Sequence, residues 1–166
     1  MSAPATETLA SAPAATAGRP VMIGLLDVAN DRFAADLYAR LAAAGYGDVR
    51  PGHGCVFGTI DPEGSRLTVL ASRARMTKQT VGEVTNDLVR LGYVERVPDP
   101  EDGRAKIIRL TERGHEARRI GRELIDETEA EWAARYGEET MRALRSALET
   151  ITADWWAEMY PDGKLG

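Results

Sequence analysis

Two short groups of polar side chains in the middle of this sequence have the chemistry to bind an anionic partner. The first is a run of four consecutive residues, Thr77, Lys78, Gln79 and Thr80. The second lies in the segment DPEDGRAKIIRLT, where alternate positions hold Asp102, Arg104 and Lys106. Lysine and arginine bind phosphate oxygens through charge-assisted hydrogen bonds, and a glutamine amide can pair with the edge of a base. Both groups are therefore candidates for contacts with a polyanion.

The distribution of charge supports this location, although the chain as a whole is acidic. Its formal net charge of −5 argues against indiscriminate binding to nucleic acid. Residues 65–122 nevertheless carry 13 basic and 8 acidic side chains, whereas residues 1–64 and 123–166 have net charges of −3 and −7. The middle third is therefore where a polyanion would bind. The acidic C-terminal region would repel a polyanion that approached from the wrong side, or would simply aid solubility.

The spacing of apolar residues predicts two short helices around the first group. Ser65 is predicted to cap a helix of about two turns over RLTVLASRA. Thr77 is predicted to cap a second helix, which ends at Gly92 and has an apolar face made of Val81, Val84, Leu88 and Leu91. Because only three residues separate the two helices, they predict a helix-turn-helix.

The second group lies between two segments with strand-like alternation. YVERV and KIIRL alternate with a period of two, and a loop rich in Pro, Asp and Gly joins them. This pattern predicts an antiparallel hairpin with Arg104 at its tip. A helix-turn-helix followed directly by a hairpin is a winged helix.

The flanking regions predict further helices. Residues 1–20 are rich in Ala, Pro, Ser and Thr and lack the features of a secretory signal, so we expect a disordered tail. Residues 21–50 predict one helix that stops near Gly45, and the segment PGHGCVF is compatible with helix or strand. Thr111 is predicted to cap a long helix that breaks near Gly137.

The final predicted helix has a heptad-like apolar seam made of Met141, Leu144, Leu148, Ile151 and Trp155. The seam is too short to form a free coiled coil. We expect it to combine with the first helix in a helical dimer interface built from both ends of the chain.

With these residues established, the sequence resembles the MarR family of winged-helix transcription regulators. The resemblance is strongest from Leu67 to Gly114 and includes the D-x-R-x-K wing pattern at Asp102, Arg104 and Lys106. It implies a mainly α fold with a small β-hairpin wing. The implied organisation is an N-terminal dimerisation helix at 21–50, a winged helix-turn-helix DNA-binding domain at 51–111 and C-terminal dimerisation helices at 112–166. Arg75 departs from the pattern, because relatives often have glycine at that turn.

The resemblance implies a homodimeric repressor that binds double-stranded DNA at a palindromic operator. The first turn of the second helix would face base edges in the major groove, followed on the same helix by Gly82 and Asn86. Arg104 would enter the adjacent minor groove, and Asp102 would either hold the loop or guanidinium or simply favour a turn. Contacts to phosphate are expected from Lys106, Arg66, Arg73 and Arg96. The alternative for these residues is that they form an ordinary solvent-exposed polar surface without contacts to DNA.

Family members commonly bind small aromatic or amphipathic acids between the dimerisation helices and the winged helix. Residues that could line such a pocket here are Phe33, His53, Phe57 and Trp132, although core packing is the favoured explanation for them. Cys55 is the single cysteine and has no neighbouring cation in sequence, which favours an inert thiol over a redox sensor.

The remaining expectations are absences. No cluster of residues has metal-ligand spacing, so we expect no metal and no cofactor. No apolar run could span a membrane, and the single cysteine fits the cytoplasm. An enzyme would need His53 and Cys55 to converge with an acid, which no spacing supports. A winged helix used only for protein contacts, without DNA binding, is the main alternative.

Overall fold

The computed structural model describes residues 19–160, so the N-terminal tail predicted at 1–20 lies almost wholly outside the described residues. The α-helices within this range are α1 (Met22–Leu41), α2 (Gly54–Phe57), α3 (Leu67–Arg73), α4 (Lys78–Arg90), α5 (Glu112–Tyr136) and α6 (Glu138–Met159). The strands are β1 (Ser65–Arg66), β2 (Val94–Pro98) and β3 (Lys106–Leu110). A π-helical turn at Ala42–Tyr46 follows α1, and a 3-10 turn at Pro51–His53 precedes α2. The mainly α fold with a small wing is confirmed.

The predicted helix-turn-helix is formed by α3 and α4. The side chain of Thr77 accepts a hydrogen bond from the backbone N–H of Thr80, which caps α4 as the sequence indicated. Val81 and Leu88 are fully buried on the apolar face of α4. At the other end Gly92 adopts a left-handed φ of 79° and closes the helix, a conformation that glycine adopts without strain.

Arg75 occupies the turn between α3 and α4 with a φ of 52°. This is the only left-handed residue other than glycine among residues 19–160. The positive φ at this turn is one that glycine adopts without strain, which agrees with the glycine that relatives often have here. Arginine in the same conformation is strained, because its Cβ crowds the backbone carbonyl oxygen.

The wing has a third strand that sequence patterns did not predict. The sheet order is β1-β3-β2, and both pairings are antiparallel. Ser65 pairs with Ile108, so the prediction that Ser65 caps the first helix of the motif was wrong. Its hydroxyl instead donates to Asp61 Oδ2 at 2.7 Å and accepts from the backbone N–H of the same residue. Arg66, whose side chain forms no cap, occupies the N-cap position of α3.

The ambiguous segment before the motif is helical, since PGHGCVF forms the 3-10 turn and α2. Its Val56 is fully buried and belongs to one core cluster with Leu70, Val81, Leu88 and Tyr93. The short helix is thus placed by burial of its apolar side chains, because a helix of this length is unstable alone.

The helices at the two ends of the chain lie beside each other. Helix α1 packs on α5, and α6 packs on α5 after a break at Gly137, where φ is 100°. Near the end of α6 the ring of Tyr160 lies under the guanidinium of Arg73 at 4.7 Å, and its hydroxyl donates to the carbonyl of Gly58 at 3.3 Å. The long helices are therefore anchored to the winged helix within one chain. In residues 19–160 no helix is both long enough and apolar enough to cross a bilayer.

Candidate nucleic-acid interface

The first turn of α4 presents its polar side chains to solvent. Thr77, Lys78 and Gln79 are exposed, and Thr80 is half-buried. The Thr77 and Thr80 hydroxyl oxygens are 2.8 Å apart. The Gln79 amide donates to Glu83 Oε1 at 3.2 Å, one turn along the helix. The N-terminal turn of α4 is therefore accessible to a partner, and the Thr77 cap stabilises its backbone.

Glu83 is a candidate contact that the sequence reasoning missed. Its carboxylate lies beside Gln79 and is exposed, and a carboxylate can accept a hydrogen bond from the cytosine amino group. The i, i+4 spacing from Gln79 could have indicated that both side chains lie on the same face.

Gly82 is half-buried on the side of α4 that faces the start of α3. A Cβ placed on Gly82 would lie 3.7 Å from a methyl carbon of Leu67 at the start of α3. At this distance a Cβ would make an ordinary van der Waals contact, so the packing of α4 on α3 does not itself require glycine, and a role in close approach to DNA stays a prediction.

Asn86 and Arg96 join the recognition helix α4 to the wing. Arg96 in β2 donates from Nη2 to Asn86 Oδ1 at 2.7 Å, and both residues are exposed. The predicted base-facing side chain and the predicted phosphate contact are thus brought together, so the orientation of one depends on the other.

Arg104 is exposed at the tip of the wing, and Asp102 shapes the backbone beneath it. Asp102 Oδ1 accepts from the backbone N–H of Arg104 at 3.1 Å, and the Asp102 carbonyl accepts from the N–H of Ala105 at 2.8 Å. Asp102 therefore holds the loop and not the guanidinium, which is one of the alternatives that the sequence left open. Lys106 is exposed at the start of β3, where it pairs with Pro98.

The last two predicted phosphate contacts have partners inside the chain. Arg66 Nε donates to the buried carboxylate of Asp99 at 2.6 Å, and this guanidinium holds the pKa of Asp99 below its usual range. Arg66 is still 44% exposed, which leaves part of its guanidinium open to a partner. Arg73 is only 15% exposed and donates to Asp61 Oδ1 and the Thr59 carbonyl. Its position is that of a structural cation, so the expected phosphate contact has little geometric support.

The four residues predicted for an effector pocket each have a packing or hydrogen-bonding partner in the chain. Phe33 on α1 and Trp132 on α5 meet edge to face at 5.2 Å, and Phe57 contacts the Tyr93 ring in the same way at 5.7 Å. His53 is 3% exposed and is hydrogen-bonded through both ring nitrogens. The structure thus brings Phe33 and Trp132 together, but gives Phe57 and His53 different partners.

His53 has a role that the sequence reasoning missed. Its Nδ1 accepts from the backbone N–H of Arg50 at 3.1 Å, so Nε2 carries the proton and donates to Asp87 Oδ2 at 3.0 Å. This contact holds the pKa of Asp87, a residue of α4, below its usual range. His53 therefore fastens the segment before α2 to the recognition helix.

Two other features bear on the sensory predictions. Burial raises the pKa of the Cys55 thiol, as expected for an unreactive cysteine. A surface depression of about 390 Å³ lies on α5 and is lined by His115, Arg118, Arg119, Arg122 and Glu123. In the part of the chain that the structure describes, no group of three or more His, Cys, Asp or Glu residues could hold a metal ion.

A helix-turn-helix whose second helix begins with an exposed polar turn, followed by a wing with an exposed arginine at its tip, defines a winged-helix DNA-binding protein. A model of the MarR family matches residues 50–105. An uncharacterized HTH-type transcriptional regulator of Mycobacterium bovis is 32% identical over 96 residues, which are 57% of this chain and 67% of the relative, and an HTH-type transcriptional regulator of Mycobacterium tuberculosis matches equally. The chain belongs to the MarR family of transcriptional regulators.

Solved structures of similar fold include members with and without bound partners. The reduced form of MarR from E. coli has a TM-score of 0.70 at 18% identity, covering 81% of this chain and 98% of that one. The repressor CouR bound to a 23-mer DNA duplex has a TM-score of 0.65 at 22% identity, covering 79% and 92%. CouR from Rhodococcus jostii RHA1 bound to p-coumaroyl-CoA has a TM-score of 0.62 at 22% identity, covering 78% and 91%.

Proposed function

We propose that two copies of this chain form a homodimeric repressor that binds an inverted-repeat operator and is regulated by a small effector. The observation that carries this proposal is the hydrogen bond between Arg96 and Asn86. It links the wing to the recognition helix, and the turn at 77–79 and the wing tip at Arg104 are both exposed. Such a surface suits two adjacent grooves of a duplex.

Each side chain of this surface has a proposed role. Lys78 and Gln79 bind base edges in the major groove, and Arg104 enters the minor groove, whose negative potential attracts a guanidinium. Lys106 and the exposed part of Arg66 bind phosphates and fix the register of the protein on the duplex. Binding of this kind involves no catalytic step, and the raised pKa of the Cys55 thiol would make it a poor nucleophile.

The proposed dimer interface lies at the exposed apolar residues of the two ends of the chain. In α1, Ile23 is 69% exposed and Val28 is 56% exposed. In α6, Leu148 is 39% exposed and Ile151 is 78% exposed. Apolar residues clustered on long helices at this exposure are typical of surfaces that a second protein covers. A second copy of the chain is the proposed partner, because two-fold symmetry would then match an inverted repeat.

The proposed effector is a small aromatic or amphipathic acid. CouR is a similar structure that binds p-coumaroyl-CoA, and this similarity supports an aromatic ligand for the present chain. The Phe33–Trp132 pair is the proposed place, because these two aromatic rings lie where α1 meets α5. An aromatic acid inserted here would separate helices that the dimer holds together.

Selection of DNA from a random duplex pool tests the proposal. Wild-type protein should enrich an inverted repeat whose half-site centres lie roughly 34 Å apart. The Lys78→Ala variant should enrich the same repeat more weakly, and Arg142→Ala, on α6, should select like the wild type. If the folded wild type enriches no sequence, the proposal fails and the protein-interaction alternative takes its place.

A further inference from the structure

We infer that Arg113, Tyr93 and Asp48 form a coupling cluster that sets the angle of the recognition helix against the helices at the two ends of the chain, with Arg113 as the positioning residue. The inference rests on the proposed function, since the angle matters for DNA only if α4 enters a groove. The coupling cluster would be the part of the chain that fixes the distance between the two operator half-sites.

Arg113 reaches three separate parts of the chain from the first turn of α5. Its Nη1 donates to the carbonyl of Leu91, the C-cap of α4, at 3.0 Å. Its Nη2 donates to Asp48 Oδ2 at 2.8 Å and to the Tyr93 hydroxyl at 3.0 Å. The guanidinium carbon also lies 4.4 Å from the centre of the Tyr93 ring. A cation at the C-terminal end of α4 is further favoured by the helix dipole.

Tyr93 is the buried member of the cluster. It is fully buried directly after α4, and its hydroxyl donates to Asp48 Oδ1 at 2.5 Å. Burial, followed by the hydrogen bond to Asp48, raises the pKa of Tyr93 to about 12. A buried hydroxyl with these partners is costly to leave unpaired, so the three side chains form a unit in which each position depends on the others.

Asp48 extends the unit to the end of α1. It follows the π-helical turn Ala42–Tyr46, which continues α1, and the ring of Tyr46 lies 6.5 Å from the ring of Tyr93. The cluster therefore joins α1, the end of α4 and the start of α5 at one point.

Close packing keeps α5 from sliding at this point. Thr111 donates from its hydroxyl to the Gly92 carbonyl at 2.6 Å and from its backbone N–H to the Tyr93 carbonyl at 3.0 Å. A Cβ on Gly114 would lie 2.0 Å from the same Tyr93 carbonyl oxygen, so the backbone of α5 touches the backbone after α4. A rotation of α5 would thus be passed to α4 instead of being absorbed by a loose contact.

The chemistry of the cluster is specific to arginine. A planar guanidinium can donate in fixed directions to a carbonyl, a carboxylate and a hydroxyl at once, whereas a lysine ammonium is a compact point charge that cannot span all three. Arg113→Lys should therefore keep the charge and lose the positioning. Arg119 offers a matched control on the same helix, because its ion pairs are with Glu116 and Glu123 of α5 itself.

Distance measurements between spin labels test the coupling without DNA. Labels would be placed at Gln79→Cys on α4 and Asp126→Cys on α5 in a Cys55→Ser background, diluted with unlabelled protein so that only distances within one chain are observed. The wild type and Arg119→Met should give one narrow distribution. Arg113→Met and Arg113→Lys should broaden it about twofold or shift its centre, as expected for a contact with two populated arrangements.

An unchanged distribution in a folded Arg113 variant would overturn the inference. If Arg113→Met does not fold, as judged by circular dichroism, Arg113→Lys and Tyr93→Phe decide the question, because Tyr93→Phe keeps the ring and removes the hydroxyl. Arg113→Lys that behaves like the wild type would equally overturn it, since the argument requires the planar fork.

A second readout separates positioning from contact with DNA. On duplexes carrying the selected repeat at its natural spacing and with one or two base pairs inserted, Arg113→Lys should reduce the preference for the natural spacing by about fivefold or more. Its slope of log K against log salt should stay that of the wild type, because no phosphate contact is lost. Absence of DNA binding by the wild type would count against the proposed function alone, since the label distances still decide the coupling.

Discussion

Arg96 in the wing donates a 2.7 Å hydrogen bond from Nη2 to Asn86 Oδ1 on the recognition helix. The bond joins the two elements that we propose to enter adjacent grooves of one duplex, and the wing would then act only where the helix does. Arg96 and Asn86 could each also contact DNA by themselves, and the hydrogen bond between them fixes the orientation of both side chains.

Removal of this link should weaken DNA binding without unfolding the protein. We expect Arg96→Met to lower affinity for the selected operator roughly 5- to 10-fold, which corresponds to about 1 to 1.4 kcal/mol, the size of one hydrogen bond. Asn86→Ala should have a similar effect, and the double variant should cost less than the sum of the two. Fluorescence anisotropy titration measures all three.

Arg109→Met is the matched control, because Arg109 lies on the neighbouring strand and is paired with Glu95 of the same sheet. It should bind like the wild type. Strict additivity of the two single changes would show that Arg96 and Asn86 act independently.

A charge placed in the proposed dimer interface should separate the protomers. Ile151→Glu puts a carboxylate at the most exposed apolar position of α6, and burial of that charge against a second copy would be strongly unfavourable. We expect the variant to sediment as a monomer at concentrations where the wild type is a dimer. Ser146→Glu, on the opposite side of α6, should remain dimeric. A wild type that is monomeric throughout would contradict the interface.

The Asp48 carboxylate should make the stability of the protein dependent on pH in the acid range. The hydroxyl of Tyr93, and then the guanidinium of Arg113, hold the pKa of Asp48 below its usual value. Because this pKa is lowered in the folded state, the ionised carboxylate stabilises the fold at pH values above the ordinary carboxyl pKa of about 4. This stabilisation is lost as the pH falls through the lower pKa of the folded state.

Urea unfolding at several pH values measures this contribution. Asp48→Asn should lower the free energy of unfolding at pH 7, and the difference from the wild type should shrink progressively below about pH 4. A difference that is constant between pH 7 and pH 3 would mean that the carboxylate charge contributes nothing through this cluster.

The strained turn between α3 and α4 should be improved by glycine. Arg75→Gly removes the crowding of a left-handed Cβ, although glycine also adds freedom to the unfolded chain. We expect a net gain of roughly 0.5 to 1 kcal/mol, which should raise the melting temperature by about 1 to 4 °C. Arg75→Ala keeps the strain and removes only the guanidinium, so it should not share the gain. Equal melting temperatures for all three proteins would show that the turn is unstrained.

Local patterns in the sequence were sufficient for much of the winged helix. Thr77 caps α4, Gly92 ends it and Thr111 caps α5, because a cap depends on hydrogen bonds within a few residues. The hairpin followed from alternation and turn residues in the same way. The left-handed φ of Arg75 lies at the turn where the resemblance noted that relatives often have glycine.

The features that sequence reasoning missed depend on contacts between distant residues. Ser65 and Arg66 form a strand only because β3 lies beside them, and two residues carry no periodicity. Arg73 reads as a surface cation, yet Asp61 and Tyr160 enclose it from elsewhere in the chain. The coupling of Arg113 to Asp48 across 65 positions is likewise invisible in local spacing.

The most direct test of the central claim is a salt titration of DNA binding by the wild type and by Arg104→Ala. The DNA would be a labelled duplex from upstream of the gene for this protein, compared with a random duplex of equal length. We predict tight binding by the wild type, with log K falling by roughly five units per decade of salt if about six phosphates are neutralised. The Arg104→Ala variant should bind clearly more weakly at every salt concentration. Equal and weak binding of both proteins to both duplexes would contradict the assignment of the wing and the recognition helix to DNA.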